Sequence, residues 1–587
     1  MKLCLRPLPL VLAMTAALTL GACARNSPSP ETARQDGPEL RQNESKADTR
    51  DVLLAKEEAV ARPRALKPQE AQPSAPVVAQ TAIAVGAVAP APTNLPNGPQ
   101  NRAGVGEPTD TERYADITPN AVIAASEQPV STFSIDVDTG AYSNVRRFLD
   151  QGQLPPTDAV RIEEFINYFD YAYPTPDSRE QPFSVHTELA LAPWNQERWL
   201  LQVGLKGFEV PLAQLPASNL VFLLDVSGSM QSADKLPLVK QAMKLVVEQM
   251  RPQDHIAIVV YAGAAGLVLP STSGADKAQI IASLDALEAG GSTNGGQGIQ
   301  LAYQVAREQF VEGGVNRVIL ATDGDFNVGM VDQQDLEDLV TRERKSGIAL
   351  TTLGFGQGNY NDEIAERLAD LGDGNHAYID TEREARKVLV TELSANLLTI
   401  AKDVKIQVEF NPAVVAEYRL IGYENRMLAR EDFNNDAVDA GEIGAGHTVT
   451  ALYELTPVGS PALRLPPLRY AATEKAEGKS NEVALLKLRY KLPEQERSRL
   501  IEQTVTRPRQ INAGSAQLQL AAAVAAFGEA LRGGKYLDGF ALGAIAGLVA
   551  EHKGQDRYGM VAELEDLVRK AEVLSGGEAP AQIAVSR

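Results

Sequence analysis

The sequence predicts an α/β protein built on a doubly wound, mostly parallel sheet, flanked by an N-terminal α+β segment, a C-terminal β-rich region and terminal helices. Three observations lead to this prediction. From residue 216 to residue 398, apolar segments of strand length alternate with amphipathic helical segments. Acidic residues follow two of these strands, at the sheet edge where ligands bind in such folds. Outside this region the apolar spacing becomes that of antiparallel strands.

Length and composition restrict the classes of function. The chain has 587 residues, which is more than one core usually serves, so several domains are expected. Its net charge of -20 argues against nucleic-acid binding, which requires a basic face, and against adsorption on anionic lipid through charge alone. Both cysteines, Cys4 and Cys23, lie at the N-terminus, so the body of the chain has neither a disulfide framework nor a CxxC site.

Residues 1–22 are predicted to be a signal peptide. Two basic residues precede an apolar stretch that is too short to span a bilayer comfortably. The stretch ends in Leu-Gly-Ala-Cys, which resembles the lipobox of bacterial lipoprotein precursors. This resemblance implies cleavage before Cys23 and attachment of diacylglyceryl and acyl chains, such as palmitate, to that residue. A plain secretory signal with an incidental cysteine is the alternative.

Residues 23–110 are predicted to be a disordered tether. They are rich in Pro and Ala and have almost no aromatic residues, so they cannot bury enough surface to offset the entropy of ordering. A chain of this kind reaches tens of ångströms, on the order of 5 Å times the square root of its length.

The region 111–215 is predicted to be α+β. Residues 131–176 predict a short strand, a helix and a second helix opened by Pro156, Thr157 and Asp158. Residues 183–210 show the alternation of strands.

Within 216–398 the predicted strands and helices alternate regularly. The strands are NLVFLLDV, HIAIVVYA, NRVILATDG, IALTTLGFG and HAYID. The helices are KLPLVKQAMKLVVEQM, NGGQGIQLAYQVAREQF, QQDLEDLVTRERKSG, DEIAERLADLG and EREARKVLVTELSANL.

Residues 399–587 are predicted to be β-rich and then helical. Four strand segments, in DVKIQVEFNP, VAEYRLIGY, HTVTALYELTP and NEVALLKLRYKLP, favour a small antiparallel sandwich. Beyond residue 513 the chain is Ala-rich and helical. Its most apolar part, GFALGAIAGLVAEH, is too short to span a membrane and is expected to be a buried helix.

Five oxygen-bearing side chains are predicted to form a metal centre. Asp225, Ser227 and Ser229 form a D-x-S-x-S pattern after the first strand of the sheet, Thr293 lies in a Gly-rich loop, and Asp323 follows a later strand. Hydroxyl and carboxylate oxygens suit a hard divalent cation. For D-x-S-x-S alone, capping of the following helix is an equally good interpretation.

This ordered set resembles the metal-ion-dependent adhesion site (MIDAS) of von Willebrand factor type A (VWA) domains, which have a Rossmann-like fold. The resemblance implies Mg2+, with Mn2+ and Ca2+ as alternatives. It implies that the hydroxyls of Ser227, Ser229 and Thr293 are direct ligands, whereas Asp225 and Asp323 act directly or through water. It also implies a protein partner whose acidic side chain completes the coordination shell.

The flanking regions resemble a bacterial family of VWA lipoproteins sometimes called YfbK-like. The similarity is carried by STFSIDVDTGAYSNVRRFL and RIEEFINYF before the sheet and by EDFNNDAVDAGEIGAGHTVTALYEL after it. It extends from about residue 112 to the C-terminal helices.

Other motifs point to less favoured functions. Asp138-Thr139-Gly140 is similar to an aspartic-protease loop, but no second D-T-G occurs, so a turn before a helix is preferred. DFNNDAVDAGE lacks the regular spacing of a calcium loop and is interpreted as an acidic hairpin loop. GFGQGNYND has no accompanying Walker lysine and is expected to border the metal centre.

Together these features predict a non-enzymatic, lipid-anchored protein of the cell envelope, at the outer membrane in a Gram-negative host. It would use metal-dependent contacts for adhesion or scaffolding, and no nucleic acid is expected as a partner. An accessory or chaperone-like subunit of an envelope complex is the alternative. A Mg2+-dependent hydrolase is more remote, because no base or nucleophile accompanies the motif.

Overall fold

The computed structural model describes residues 112–176, 180–324, 333–466, 481–553, 556 and 558–576. The predicted signal peptide, the lipid attachment at Cys23 and the tether lie outside these residues, so they stay predictions.

The first described region, up to residue 217, combines short helices with long strands. Its elements are β1 (Ile123–Ala124), β2 (Val130–Ser134), α1 (Gly140–Asp150), α2 (Ile162–Asn167), β3 (Phe183–Ala192) and β4 (Asn195–Gly207). The second helix begins later than predicted. Residues Thr157–Ala159 form a single 3-10 turn, and the backbone is extended at Val160 and Arg161 before α2 starts. The extended backbone at Arg161 leaves its guanidinium among buried carboxylates.

The central region forms a six-stranded sheet in the order β10-β9-β8-β5-β6-β7. Its elements are β5 (Ser218–Asp225), α3 (Leu236–Gln249), β6 (His255–Tyr261), β7 (Ala265–Ser273), α4 (Lys277–Asp285), α5 (Gly295–Glu308), β8 (Val315–Thr322), α6 (Gln333–Lys345), β9 (Ala349–Phe355), α7 (Asp362–Leu371), β10 (His376–Ile379), α8 (Glu382–Arg386) and α9 (Leu393–Leu397). All neighbouring strands are parallel except β6 and β7. The predicted doubly wound, mostly parallel sheet is therefore confirmed. The last predicted helix is interrupted by a π-helical turn, Lys387–Thr391.

Helices cover both faces of this sheet. Leu220, Phe222 and Leu224 of β5 lie in one apolar cluster with residues of α3, whereas Val221 and Leu223 lie in another with residues of α5 and α6. This alternation explains why β5 reads as a continuous apolar run, since both of its faces are buried.

The last region contributes β11 (Thr399–Phe410), β12 (Val415–Ile421), β13 (Gly441–Gly444), β14 (Thr448–Pro457), β15 (Glu482–Lys491), β16 (Arg499–Thr506), α10 (Ala516–Leu531), α11 (Leu542–Glu551) and α12 (Met560–Leu574). Its strands pair with those of the first region rather than only with each other. One sheet has the order β1-β12-β14-β4-β3, and the other joins β13, β11, β15 and β16, with β2 also paired to β11.

These two sheets are antiparallel throughout and share one apolar core. Phe183 of the first sheet packs against Tyr490 of the second, with ring centroids 4.9 Å apart. The predicted antiparallel strands are confirmed, but the chain builds them from segments on both sides of the parallel sheet.

A helical layer covers the outer face of the first sheet. It contains α1 and α2 from the first region and α10, α11 and α12 from the last, in one apolar cluster. Phe165 and Phe527 are in contact within it, with centroids 6.0 Å apart. The apolar segment predicted as a buried helix is α11, and none of the described helices combines the length and hydropathy needed to cross a membrane.

Candidate metal centre

The sheet topology brings the two predicted aspartates to one edge. Asp225 is the last residue of β5, and Asp323 directly follows β8. These strands are parallel neighbours, so their carboxyl ends meet at the same edge of the sheet. The next strand in the chain, β6, lies on the other side of β5, and a crevice for ligands is expected where the strand order reverses in this way.

The D-x-S-x-S residues fold into a compact turn at this edge. Oδ1 of Asp225 accepts a hydrogen bond from the backbone amide of Ser227 at 2.8 Å. The hydroxyls of Ser227 and Ser229 lie 2.9 Å apart. Neither Ser227, which precedes the 3-10 turn Gly228–Gln231, nor Lys235, which precedes α3, makes a side-chain capping bond. The geometry therefore favours a converging set of oxygens over a helix cap.

The Gly-rich loop is fixed against this turn. The amide of Gly290 donates to the carbonyl of Val226 at 2.8 Å, and the amide of Gly228 donates to the carbonyl of Gly291 at 3.0 Å. Thr293 lies half-buried two residues beyond Gly291 in the same loop. Among the described residues, the predicted ligands Asp225, Ser227, Ser229 and Asp323 thus share one site, with the Thr293 loop at its border.

The electrostatics fit a bound cation. The carboxyl groups of Asp225 and Asp323 are fully buried. Burial, with a smaller contribution from the charge of Asp323, raises the pKa of Asp225 to about 6. Oδ2 of Asp225 is buried and forms no hydrogen bond of normal geometry with a described residue, although the hydroxyl of Tyr261 lies close enough to lower the pKa of Asp225. Because an unpartnered buried carboxylate oxygen is costly, a cation at this position would remove a penalty that the protein otherwise carries.

The sequence analysis missed one member of the site. Lys235 is buried, and its Nζ donates to Oδ2 of Asp323 at 2.9 Å and to Oδ1 of Asn359 at 3.0 Å. Asn359 belongs to the GFGQGNYND loop, so this loop lies beside Lys235 and Asp323. The sequence did not point to Lys235 as part of the site. Lysine is not a usual ligand of Mg2+, and this one directly precedes an ordinary amphipathic helix.

The D-T-G motif has a structural role. Oδ1 of Asp136 accepts from the amide of Asp138, whose Oδ1 accepts from the amide of His376 in β10 at 2.8 Å. Asp138 also faces Arg426 and so belongs to a mostly buried set of charged side chains, which we call the interface cluster because it links the parallel sheet and its helices to the flanking regions. The interface cluster comprises Arg161, Arg426, Asp136, Asp138, Glu164, Asp362, Glu366 and Asp370.

The acidic hairpin loop is also engaged in charge pairing. Carboxylate oxygens of Asp439 and Glu442 lie within 4.8 Å of each other and of one from Asp373. Arg344 forms ion pairs with both Asp373 and Asp439, and Lys402 pairs with Asp373. These basic side chains already supply the positive charge that the acidic loop attracts.

Comparisons with known proteins identify the family. Three family models match the chain: von Willebrand factor over residues 108–202, von Willebrand factor type A domain over 219–392, and Uncharacterized protein YfbK, C-terminal, over 395–574. The second of these coincides with the parallel sheet and its helices.

Individual relatives extend this result. The chain is 49% identical over 470 residues to "Uncharacterized protein YfbK" of Escherichia coli (strain K12), covering 79% of this chain and 81% of the relative. It is 33% identical over 149 residues to human inter-alpha-trypsin inhibitor heavy chain H4, covering 24% of this chain and 16% of that protein. A solved structure of "von Willebrand factor type A from Catenulispora acidiphila" is 16% identical with a TM-score of 0.37, covering 66% of this chain and 91% of that one. The chain therefore belongs to the YfbK family and carries a von Willebrand factor type A domain between its two flanking regions.

Proposed function

We propose that this protein is a lipid-anchored component of the cell envelope whose VWA domain binds a divalent cation and, through it, a partner protein. The observation that carries the proposal is the convergence of Asp225, Ser227, Ser229 and Asp323 on one edge of the sheet, where both carboxyl groups are buried. VWA domains are a framework for protein–protein interaction, and the relatives found here are not described as enzymes.

The residues suit Mg2+, which prefers oxygen ligands in octahedral array and keeps some of its waters. Ser227, Ser229 and Thr293 would supply neutral hydroxyl oxygens. Asp225 and Asp323 would supply negative charge, directly or through water. Mn2+ and Ca2+ accept the same ligands and remain alternatives for the cofactor.

The partner would present an acidic side chain to the metal. Mostly neutral ligands leave a divalent cation electrophilic, so a carboxylate is the favoured exogenous ligand. A contact through one metal ion gives modest affinity, because association costs translational and rotational freedom. The loops around the centre would therefore contribute further contact surface. No catalytic group is required for this role.

The anchor would act through Cys23. Acyl chains on this residue would hold the protein in the membrane, and residues 23–110 would let the folded regions search for a partner at a distance from it. In a Gram-negative host we expect the outer membrane, since Ala24 rather than an acidic residue follows the cysteine.

Cross-linking in intact envelopes tests the binding function. The wild-type protein, Asp225→Asn and the control Asp276→Asn, an exposed carboxylate outside the site, would be compared with and without EDTA. We expect a cross-linked partner with the wild type and the control that disappears with EDTA and with Asp225→Asn. Identical products under all six conditions would contradict metal-dependent binding.

Membrane fractionation tests the anchor separately. Cys23→Ser should move the protein from the membrane fraction to the soluble fraction or leave it as an unprocessed precursor. Normal processing and membrane retention of Cys23→Ser would contradict lipid attachment at this residue.

A further inference from the structure

The candidate metal centre contains a cation of its own. Lys235 is 6% exposed, and its ammonium group bonds to Asp323 and to Asn359 at 2.9 and 3.0 Å. It is thus the immediate neighbour of one of the two carboxylates that would carry the charge of the metal site.

The surrounding backbone is shaped to hold this lysine in place. Gly356 has a φ of +73°, and a Cβ at this position would lie 2.3 Å from Cγ of Lys235. The hydroxyl of Tyr378 donates to the carbonyl of Gly356, which fixes the loop under the lysine stem. At the other end, the carbonyl of Lys235 accepts from the amide of Val239 at 2.9 Å in the first turn of α3. The side chain of Lys235 is therefore held in place by packing and hydrogen bonds.

The ammonium group of Lys235 changes the net charge of the metal centre. Two carboxylates and one ammonium group leave the centre with one net negative charge. A divalent cation would convert this to one net positive charge, whereas without the lysine the occupied centre would be neutral. Because these groups are buried, their charges are poorly screened by solvent and act strongly on one another.

We infer that Lys235 is a specificity-determining residue of the metal centre: it weakens metal binding and makes the occupied centre select an anionic ligand, a carboxylate, over a neutral one. This inference rests on the proposed function. It assigns to the protein's own lysine the preference for an acidic partner.

The test uses purified full-length protein in detergent. Lys235→Met removes the charge and keeps the length of the stem, and Lys235→Arg keeps the charge. Lys240→Met is the matched control, since Lys240 lies on the same helix and bonds to the carbonyl of Asp285 instead. Mn2+ binding is measured by calorimetry. Acetate and acetamide are then titrated into the Mn2+-loaded protein, and the relaxation of water protons reports displacement of water from the metal.

We expect Lys235→Met to bind Mn2+ at least threefold more tightly than the wild type and acetate at least fivefold more weakly. Lys235→Arg and Lys240→Met should stay close to the wild type. In the wild type, acetate should displace water at concentrations at least tenfold lower than acetamide. If Lys235→Met fails to fold, Lys235→Gln is the second neutral variant, and its preference for acetate over acetamide should be at least fivefold smaller than that of the wild type.

Unchanged Mn2+ affinity, or unchanged acetate affinity, in a folded Lys235→Met protein would overturn the inference while leaving the proposed function standing. Equal potency of acetate and acetamide in the wild type would also overturn it. If the wild type bound no Mn2+ but Lys235→Met did, the proposed function would fail and the inferred selection of a carboxylate would fail with it, because the centre would never be occupied. Absence of binding in both would overturn both.

Discussion

The candidate metal centre and the interface cluster are both built largely from buried carboxylates, but these carboxylates are paired with basic side chains to different extents. In the interface cluster, Arg161 lies within 3.1 Å of Glu164, Asp362 and Glu366. In the metal centre, one carboxylate oxygen of Asp225 accepts a hydrogen bond from a backbone amide, and the other forms no hydrogen bond of normal geometry with a described residue. Arg161 already supplies a counter-charge in the first arrangement, whereas a divalent cation is proposed to supply it in the second.

The pKa values of Asp362 and Asp225 are shifted in opposite directions. Burial alone would raise the pKa of Asp362, but Arg161 and His376 hold it well below the ordinary value. Burial raises the pKa of Asp225 to about 6 without a comparable counter-charge. Arg161 thus stabilises the ionised form of Asp362, whereas burial dominates at Asp225, as it does at Glu164 and Glu366 of the interface cluster.

Removing the cation of the interface cluster should have the largest effect. Arg161→Met would leave three buried carboxylates without their central partner, so we expect the free energy of unfolding to fall by about 3–5 kcal/mol. Urea unfolding monitored by circular dichroism measures this loss. Arg342→Met, whose guanidinium is two-thirds exposed, is the control and should cost less than about 1 kcal/mol. Equal losses in the two variants would contradict the role given to the cluster.

Neutralising Asp225 in the metal centre should raise, not lower, the free energy of unfolding when no metal is present. The folded-state pKa of Asp225, about 6, lies above its ordinary value of 3.8, so the stability of the metal-free protein falls as the pH rises between these values. Asp225→Asn removes this penalty and should stabilise the protein at pH 8 in EDTA by up to roughly 3 kcal/mol.

Urea unfolding in EDTA at pH 5 and pH 8 measures this gain, which should be larger at pH 8. Asp276→Asn is the exposed control and should change stability little at either pH. Destabilisation by Asp225→Asn at pH 8 would show that the carboxylate is already satisfied in the metal-free protein.

Removing one neutral ligand should weaken metal binding without disturbing the fold. Thr293→Val keeps the shape of the side chain and deletes its hydroxyl, so Mg2+ affinity should fall roughly 10–100-fold, about 1.4–2.8 kcal/mol. Ser292→Ala, which removes the neighbouring exposed hydroxyl of the same loop, is the matched control. Equal Mg2+ affinity in the two variants would remove Thr293 from the ligand set.

The smallest effect is expected at the contact between Glu112 in the N-terminal region and the loop that bears Asn359. Glu112 accepts from the amide of Gly358 at 2.8 Å and pairs with Arg147 at 2.7 Å, so it ties the loop bearing Asn359 to α1. Glu112→Gln should lower stability by about 1–2 kcal/mol, because a charged acceptor becomes a neutral one. Thermal unfolding beside the exposed control Glu127→Gln measures it. An effect no larger than that of the control would mean that the contacts of Glu112 do not contribute to stability.

The sequence allowed correct predictions where a structural feature depends on residues that are close together in the chain. Apolar strands covered on both faces are continuous in the chain, so β5, β8 and β9 were predicted. Asp225 and Asp323 were predicted to meet because parallel strands end at a common edge. The edge strand β7 was missed, because its exposed Leu267 and Val268 break the burial pattern of the other strands.

Features assembled from distant residues could not be predicted in this way. The interface cluster joins Arg161 to Asp362. One antiparallel sheet pairs β4 with β14, although the whole parallel domain separates these strands in the sequence. No local pattern specifies which distant strand supplies the partner. Lys235 was missed for a related reason, since its contact with Asp323 depends on the tertiary placement of the loop at Gly356.

The central claim is that Asp225, Ser227, Ser229, Thr293 and Asp323 bind a divalent cation. Calorimetric titration of Mg2+ and Mn2+ into the purified full-length protein in detergent, beside Asp323→Ala and Thr293→Val, tests it most directly. We predict one ion bound per wild-type chain, with binding lost in Asp323→Ala and weakened in Thr293→Val. A folded wild-type protein that binds neither ion, with or without acetate or glutamate as an added carboxylate ligand, would contradict it.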